Sequence, residues 1–420
     1  MIEREEDKDN SLDKFLPRVM DAKEAFDRGQ IIIKGESYVV KLPEGRKEIT
    51  SNHFYDLLPA TMFGLNQALV RAESGIKLRE LFQNELTKYE ASMERTGGKT
   101  FGTFVYYPRS EDLVHFAPRS LHKLALLACN SSLLMDAERK FNYDQIRNIF
   151  DNVVPAIAGL SVGSNIGWSI IENIRPNTIK VSDPALFKLT NANRIVGLGY
   201  KDLVMAGNMV SSSTAHLYGL REKQEVFTDN VLAQDPFMDI FPYKGIDGGN
   251  VKHFLGGGSN EPKATIVIDV CDSIDVKMQL AEEARRQGIR LLRFSDAGST
   301  VRVDIRPFDS NPKASLAYGI TDEDLNELFV KAGTSETGFF DFAAGLIGRD
   351  YLERGDEFGD LIMGKISKHY SSVPQIGSTA LMTGGIAGEI IARMALGFKY
   401  PERFVVDPVN LKFESWGELV

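Results

Sequence analysis

Hydrophobic and polar positions change rhythm about a third of the way along the chain. Residues 31–42 (IIIKGESYVVKL) are two β-rich runs around Gly35-Glu36-Ser37, the pattern of a hairpin. Stretches 53–72 and 76–90 carry helical periodicity, with Leu78, Leu81 and Leu86 recurring beside charged neighbours. Residues 101–107 (FGTFVYY) read as an aromatic strand, and after 121 a helical pattern (LHKLALLACNSSLLM) leads onward. From about 150, strands and helices alternate. Residues 153–158 (VVPAIA) form an apolar run, Gly159 to Ser164 a turn, and Ile166, Ile170 and Ile174 recur at helical spacing. Residues 178–182 (TIKVS) are the next strand, ending at Asp183. Residues 264–270 (ATIVIDV), helix 275–287, Gly288 and strand 289–294 (IRLLRF) repeat the arrangement. This alternation predicts an α/β fold, a Rossmann-like doubly wound sheet that is largely parallel with helices on both faces. Pro155 has no N–H to give to a strand ladder, so it belongs at the first paired residue of its strand. The expected division is a smaller α+β domain over 1–125 and the α/β domain over 126–420.

Composition narrows the class. Of 420 residues 43% are hydrophobic and 25% charged, enough to bury a substantial core, which excludes a largely disordered, collagen-like or polytopic membrane chain. A net charge of −9 leaves no global basic field, so neither nucleic acid nor a membrane is an expected partner. The longest uncharged run, Asn152 to Ile171, is broken by Pro155, Asn165 and the small residues between Gly159 and Ser164; it reads as strand, turn and helix. The segment Met1-Ile2-Glu3-Arg4-Glu5-Glu6-Asp7 lacks the apolar core of a signal peptide, and a cytoplasmic location is expected. Two cysteines, Cys129 and Cys271, make neither a disulfide framework nor a four-thiolate zinc site. The six histidines (His53, His115, His122, His216, His253, His369) lack the spacing of a metal site or a triad. Ser211-Ser212-Ser213 reads as a polar loop and Gly256-Gly257-Gly258 as a flexible connection.

The chemistry begins at Gly159-Leu160-Ser161-Val162-Gly163-Ser164. A glycine-bearing turn between an apolar strand and a helix offers backbone N–H groups and a helix N-terminus to a phosphate. Here Ser161 and Ser164 stand in two of the three glycine positions of GxGxxG. Asp183, at the end of the second strand, is where a carboxylate reaches ribose hydroxyls. The pair points to a bound nucleotide and leaves open whether it is a dinucleotide or ATP.

Downstream, Leu189-Thr190-Asn191-Ala192-Asn193-Arg194 resembles the SNLNRQ signature of the ThiF/MoeB/HesA family, relatives of the ubiquitin-activating enzymes. Val270-Cys271-Asp272-Ser273 followed by Lys277 resembles that family's strand ending in TDN with a basic residue beyond it. Pro374-Gln375-Ile376-Gly377-Ser378 and the small-residue helix 383–397 look like its P–G segment and closing helix. The wording (GLSVG, CDSIDVK, a preceding YYP…LVHF) is similar to a divergent bacterial branch often attached to nitroreductase-like domains. The resemblance covers roughly residues 135–400.

What the resemblance implies is a ThiF-type fold and carboxylate activation: an acid attacks the α-phosphate of ATP, with Mg2+, and leaves as an acyl-adenylate with release of pyrophosphate. Gly159, Ser161, Gly163, Ser164 and Asp183 would hold the nucleotide; Asn191, Asn193, Arg194 and Lys201 would serve its phosphates. Asp272 would coordinate magnesium, the other reading being an N-cap that Ser273 could equally supply. Arg139 lies near the position of an arginine that reaches ATP in relatives, sometimes across a homodimer. Several features depart from the family: Ala185 replaces the second acid of its DxD, the paired CxxC zinc motifs are absent, and no cysteine lies between 300 and 370. Cys271 reads as a buried thiol. A carboxylate-bearing peptide or small protein is the expected substrate. An N-terminal order of strands then helices fits a small winged-helix-like module to which a leader peptide adds a strand. The competing readings are an NAD-dependent oxidoreductase and a catalytically silent member kept for partner binding.

Overall fold

The computed structural model describes residues 16–71, 76–127, 141, 143–188, 191–195, 221–297, 299–333, 336–347 and 377–420. The chain divides into two compact units, Met1–Arg147 with Val231–Phe237, and Asn148–Asn230 with Met238–Val420.

In the first unit β1 (Arg18–Asp21) leads into α1 (Ala22–Asp27), whose first turn is capped by the Asp21 carboxylate accepting from the Glu24 N–H at 2.9 Å. β2 (Ile31–Lys34), β3 (Ser37–Leu42) and β4 (Gly45–Ile49) form a three-stranded antiparallel sheet in that order. Lys34 opposite Ser37 leaves Gly35-Glu36 as the turn, so the expected hairpin is present. β5 (Phe54–Asp56), α2 (Leu58–Arg71), α3 (Ile76–Thr96), β6 (Thr103–Tyr107), β7 (Asp112–Phe116) and α4 (Arg119–Leu127) follow. A second sheet runs β1-β6-β7-β5. Helical periodicity over 53–72 thus hid a short strand, because Phe54-Tyr55-Asp56 pairs with Leu113-Val114-His115 across the unit, a partner no local pattern reveals. Leu58, Met62 and Leu65 of α2 close on Phe82, Phe101, Leu121 and Leu124. Val231–Phe237 is built in: Tyr107 donates its hydroxyl to the Leu232 carbonyl (2.9 Å), and Phe237 packs on Val105, Val114 and Phe116.

The second unit is a mixed α/β structure on an eight-stranded sheet. After α5 (Tyr143–Asp151), which runs across the division, come β8 (Pro155–Ala158), α6 (Val162–Ile174), β9 (Thr178–Ser182), α7 (Lys223–Gln234), β10 (Asp239–Tyr243), α8 (Val251–Gly256), β11 (Ile266–Asp269), α9 (Ile274–Gln287), β12 (Arg290–Ala297) and β13 (Thr300–Arg306). α10 (Asp322–Ala332), α11 (Glu336–Ile347), α12 (Gly377–Ala395), β14 (Pro401–Asp407) and β15 (Lys412–Leu419) complete it. The strand order is β10-β9-β8-β11-β12-β13-β14-β15. The first five in that order are parallel and the last three antiparallel. β8, β9 and β11 are buried along their whole length, which is what a parallel strand covered on both faces requires. Pro155 is the first paired residue of β8, where its missing N–H costs nothing. α6 turns Ile166, Ile170, Ile171 and Ile174 inward, and α12 lies against it through small residues; a Cβ on Gly388 would sit 2.2 Å from Ser169 Oγ. Gly256-Gly257-Gly258 is a fixed corner, not a flexible connection. Gly257 has φ +71°, and a Cβ there would meet the Glu261 carbonyl oxygen at 2.1 Å. Among the described residues no helix is long and apolar enough to cross a membrane.

Candidate functional site

The strand order reverses between β8 and β11, and in parallel sheets the crevice outside the carboxyl ends at such a point takes ligands. β8 leaves that end through Gly159 at φ +96°, a conformation that L side chains rarely adopt. A Cβ on Gly159 would lie 2.6 Å from the Val270 carbonyl oxygen, so the turn is pressed against the exit of β11. On its other side the Gly159 N–H donates to the Ser182 carbonyl (2.7 Å) at the end of β9. Gly163, in the first turn of α6, brings the helix down onto Ile157 and Val270, whose methyl groups would lie 2.9 and 3.0 Å from an added Cβ. The turn is therefore wedged among three strand ends.

Asp183 holds this wedge. It is buried; Oδ2 accepts from the Leu160 N–H at 2.7 Å, and Oδ1 from the Ala185 N–H at 2.8 Å. Lys223 Nζ reaches Oδ2 at 3.1 Å from the start of α7. Reading the sequence missed Lys223. A signal existed: a lysine at the first position of a helix opposes the macrodipole and calls for a nearby anion. A carboxylate has about four lone-pair sites; three bonds occupy Asp183, leaving room for one more donor.

Ser161 precedes α6 but makes no side-chain bond to cap it. Its hydroxyl instead accepts from Arg194 Nε at 2.6 Å, while Ser164 Oγ donates to the Ser161 carbonyl at 2.9 Å. Arg194 is partly buried, with Nη1 donating to Asn193 Oδ1 at 3.0 Å, and its carbonyl accepts from the Asn165 amide of α6. Asn165, buried on α6, is a second residue that sequence reading passed over. Asn191 is buried and its Oδ1 accepts from the Lys188 N–H at 3.1 Å, stabilising its own turn. Asn193 is exposed. Gly159, Ser161, Gly163, Ser164, Asp183 and Arg194 thus come together at one end of the sheet. Lys201 and Arg139 lie outside the described residues.

Across the crevice β11 ends at Asp269. Ser273 caps α9, its hydroxyl accepting from the Val276 N–H at 3.4 Å. Asp272 is thereby left exposed, with no hydrogen bond or ion pair among the described residues. Cys271 donates its thiol to Asp269 Oδ1 at 3.3 Å; burial first, and the Asp269 charge second, push it far above the ordinary thiol range. By exposed surface Cys271 is half-buried, not the fully buried thiol the sequence suggested, and a thiol held protonated in this way is a weak nucleophile. Asp269 is fully buried between Lys277 Nζ (2.9 Å) and Arg293 Nε (3.1 Å). Burial opposes its ionisation, but the two cations outweigh that and hold the carboxyl below the ordinary range.

The residues present fit a nucleoside triphosphate with its metal. A turn too close for a side chain, an N-terminus of α6 whose flanking serine does not cap it, and the cations Arg194 and Lys223 gather at this end of the sheet, and the loop that walls Gly159 carries Asp272 exposed two residues beyond Val270. No cluster of three or more metal-ligating side chains exists among the described residues, so a metal there would lean on phosphate oxygens as well as on Asp272.

No family model matches this chain. A curated protein of Mycobacterium tuberculosis (strain CDC 1551 / Oshkosh), uncharacterized protein MT1398, is 25% identical over 166 residues, 39% of this chain and 20% of that protein. The match thus spans about a fifth of the relative's length. Among solved structures, PaaA is 14% identical with a TM-score of 0.42, covering 69% of this chain and 81% of its own. E. coli MccB with ATP is 10% identical with a TM-score of 0.43, covering 92% and 96%. MccB with AMPCPP and MccA is 11% identical with a TM-score of 0.41, covering 92% and 94%.

Proposed function

We propose that this protein is an ATP-dependent adenylating enzyme of the ThiF/MoeB/HesA type, acting on a carboxylate of a peptide or small protein. The observation that carries the reading is the Arg194–Ser161 hydrogen bond, which joins the arginine of the signature-like segment to the glycine-bearing turn. With it goes a Rossmann-like, doubly wound description of the eight-stranded sheet.

In this reading the phosphates lie over the N-terminus of α6, where backbone N–H groups and the helix dipole favour negative charge. Arg194 supplies a planar donor fork and Lys201 would serve the phosphates as the resemblance implies, while Lys223 holds Asp183 in place beside the turn. The lone pair left on Asp183 accepts one ribose hydroxyl. Asp272 would hold magnesium, which when bound neutralises charge on the phosphate oxygens. The substrate carboxylate oxygen bonds to the α-phosphorus, the bond from that phosphorus to the bridging oxygen of the β-phosphate breaks, and pyrophosphate departs. The raised pKa of the half-buried Cys271 thiol gives no support to a subsequent thioester. A homodimer with Arg139 reaching a neighbouring site, and a leader-peptide role for the β2-β3-β4 sheet, belong to the same proposal.

Isothermal titration with ATP, AMP and NAD, each with and without Mg2+, tests the nucleotide. ATP binding strengthened by Mg2+ supports the reading, and preferential binding of NAD overturns it. Pyrophosphate exchange that requires an acyl substrate and is abolished by Asp272→Ala tests the chemistry; exchange unchanged in that variant removes Asp272 from it.

A further inference from the structure

Asp269 is the one charged residue of β11, whose other positions, Ile266, Val267 and Ile268, are apolar core. Taking a carboxylate fully out of water is costly even with cations beside it, and apolar packing would usually serve stability as well. What the carboxylate does here is local. Its Oδ1 accepts from the Cys271 backbone N–H (3.4 Å) and thiol (3.3 Å), and from Lys277 in the first turns of α9 (2.9 Å). Its Oδ2 accepts from Arg293 on the neighbouring strand (3.1 Å). Arg293 is anchored in turn by donating to the Leu316 carbonyl at 2.7 Å. It also sits in a buried cross-strand row, Asp269 beside Arg293, Arg293 beside Asp304, Asp304 beside Arg403. One side chain therefore ties together the strand end, the following loop, the next helix and the adjacent strand. The loop so tied, Val270–Ser273, both walls Gly159 and carries Asp272 outward.

We infer that Asp269 is a positioning residue: clamped by Lys277 and Arg293, it sets the backbone of Val270–Ser273 so that Asp272 faces the crevice in the orientation a phosphate-bound magnesium requires. The inference deepens the reading above and rests on it. Lys277 acts through Asp269 and does not contact the nucleotide.

The test measures ATP affinity in EDTA and in Mg2+ for the wild type, Asp269→Asn, Lys277→Met and Lys277→Arg, with thermal melts for each. Removing a residue that orients a ligand side chain typically costs about tenfold or more in metal affinity. Lys277→Met is therefore expected to lose most of the Mg2+-dependent gain while its affinity in EDTA stays at the wild-type level. Lys277→Arg, which keeps the charge, should restore the gain. Asp269→Asn should behave like Lys277→Met; if it does not fold, the lysine pair decides alone. A purely structural role would lower both affinities together, and that outcome overturns the inference, as does an Mg2+ gain undiminished in folded Lys277→Met. A wild type that binds ATP without any Mg2+ gain also overturns it and leaves the nucleotide reading standing. A wild type that binds no ATP overturns the reading and the inference with it.

Discussion

Replacing Gly159 by alanine tests the wedge directly, because two separate costs can be worked out. The residue sits at φ +96°, and a Cβ there would lie 2.6 Å from the Val270 carbonyl oxygen and 2.9 Å from its carbon, both backbone atoms. Left-handed backbone costs an L-residue about 1–2 kcal/mol. Overpacking against atoms that cannot rotate away adds about 1–3 kcal/mol. At roughly 2–4 °C per kcal/mol for a unit of this size, the melting temperature should fall by about 4–20 °C. Gly163→Ala provides the contrast. It lies in a right-handed helix, its nearest contacts are methyl groups of Ile157 and Val270, and alanine's better helix propensity returns about 0.5–1 kcal/mol. Differential scanning calorimetry of both variants reads the difference. If Gly163→Ala is the more destabilised, or Gly159→Ala melts with the wild type, the backbone argument is wrong. ATP titration of Gly159→Ala at a temperature where it is folded should also show weakened binding, since relief of the contact must move the turn or the β11 exit.

Three further outcomes follow from the same geometry. Lys223→Met removes the cation beside a buried carboxylate, so stability should drop toward the lower end of about 3–5 kcal/mol, two backbone N–H groups still holding Asp183; a chemical denaturation midpoint equal to wild type would contradict this. Asp269 has a folded-state pKa below its unfolded value of about 3.9, so its contribution to stability is present above that pH and lost as pH falls through the folded value. Melts between pH 5 and pH 2.5 should therefore fall more steeply for wild type than for Asp269→Asn, and parallel slopes would refute it. With its thiol held protonated by burial and by Asp269, Cys271 should alkylate at pH 8 at least about tenfold more slowly in the native protein than in the unfolded chain, read by peptide mapping; equal rates would show that the loop is open.

Much of the second unit was legible. The strand–turn–helix at 153–174, the strand ending at Asp183, the helix after Ser273 and the place of Pro155 all appear close to where local patterns put them. β12 runs on to Ala297 and continues into an antiparallel β13, beyond what 289–294 suggested, since an antiparallel partner adds ladder bonds that a parallel reading does not anticipate. Of the candidate site, the turn, Asp183 and Arg194 assemble, and Asp272 faces out because Ser273 takes the cap.

What the chain alone determined about this protein is what repeats over short distances: the 3.6- and 2-residue periods of its elements, the glycine that allows the turn at 159, and the acidic balance that leaves no basic field. Tertiary structure decided which distant charges meet. Lys223 reaches Asp183 and Arg194 reaches Ser161 only because separate helices and turns end at the same edge of the sheet. Lys277 and Arg293 enclose Asp269 because a helix and a neighbouring strand converge on one strand end. Periodicity records the face a residue turns inward; it carries no record of the partner waiting there, since that depends on the path of the whole chain.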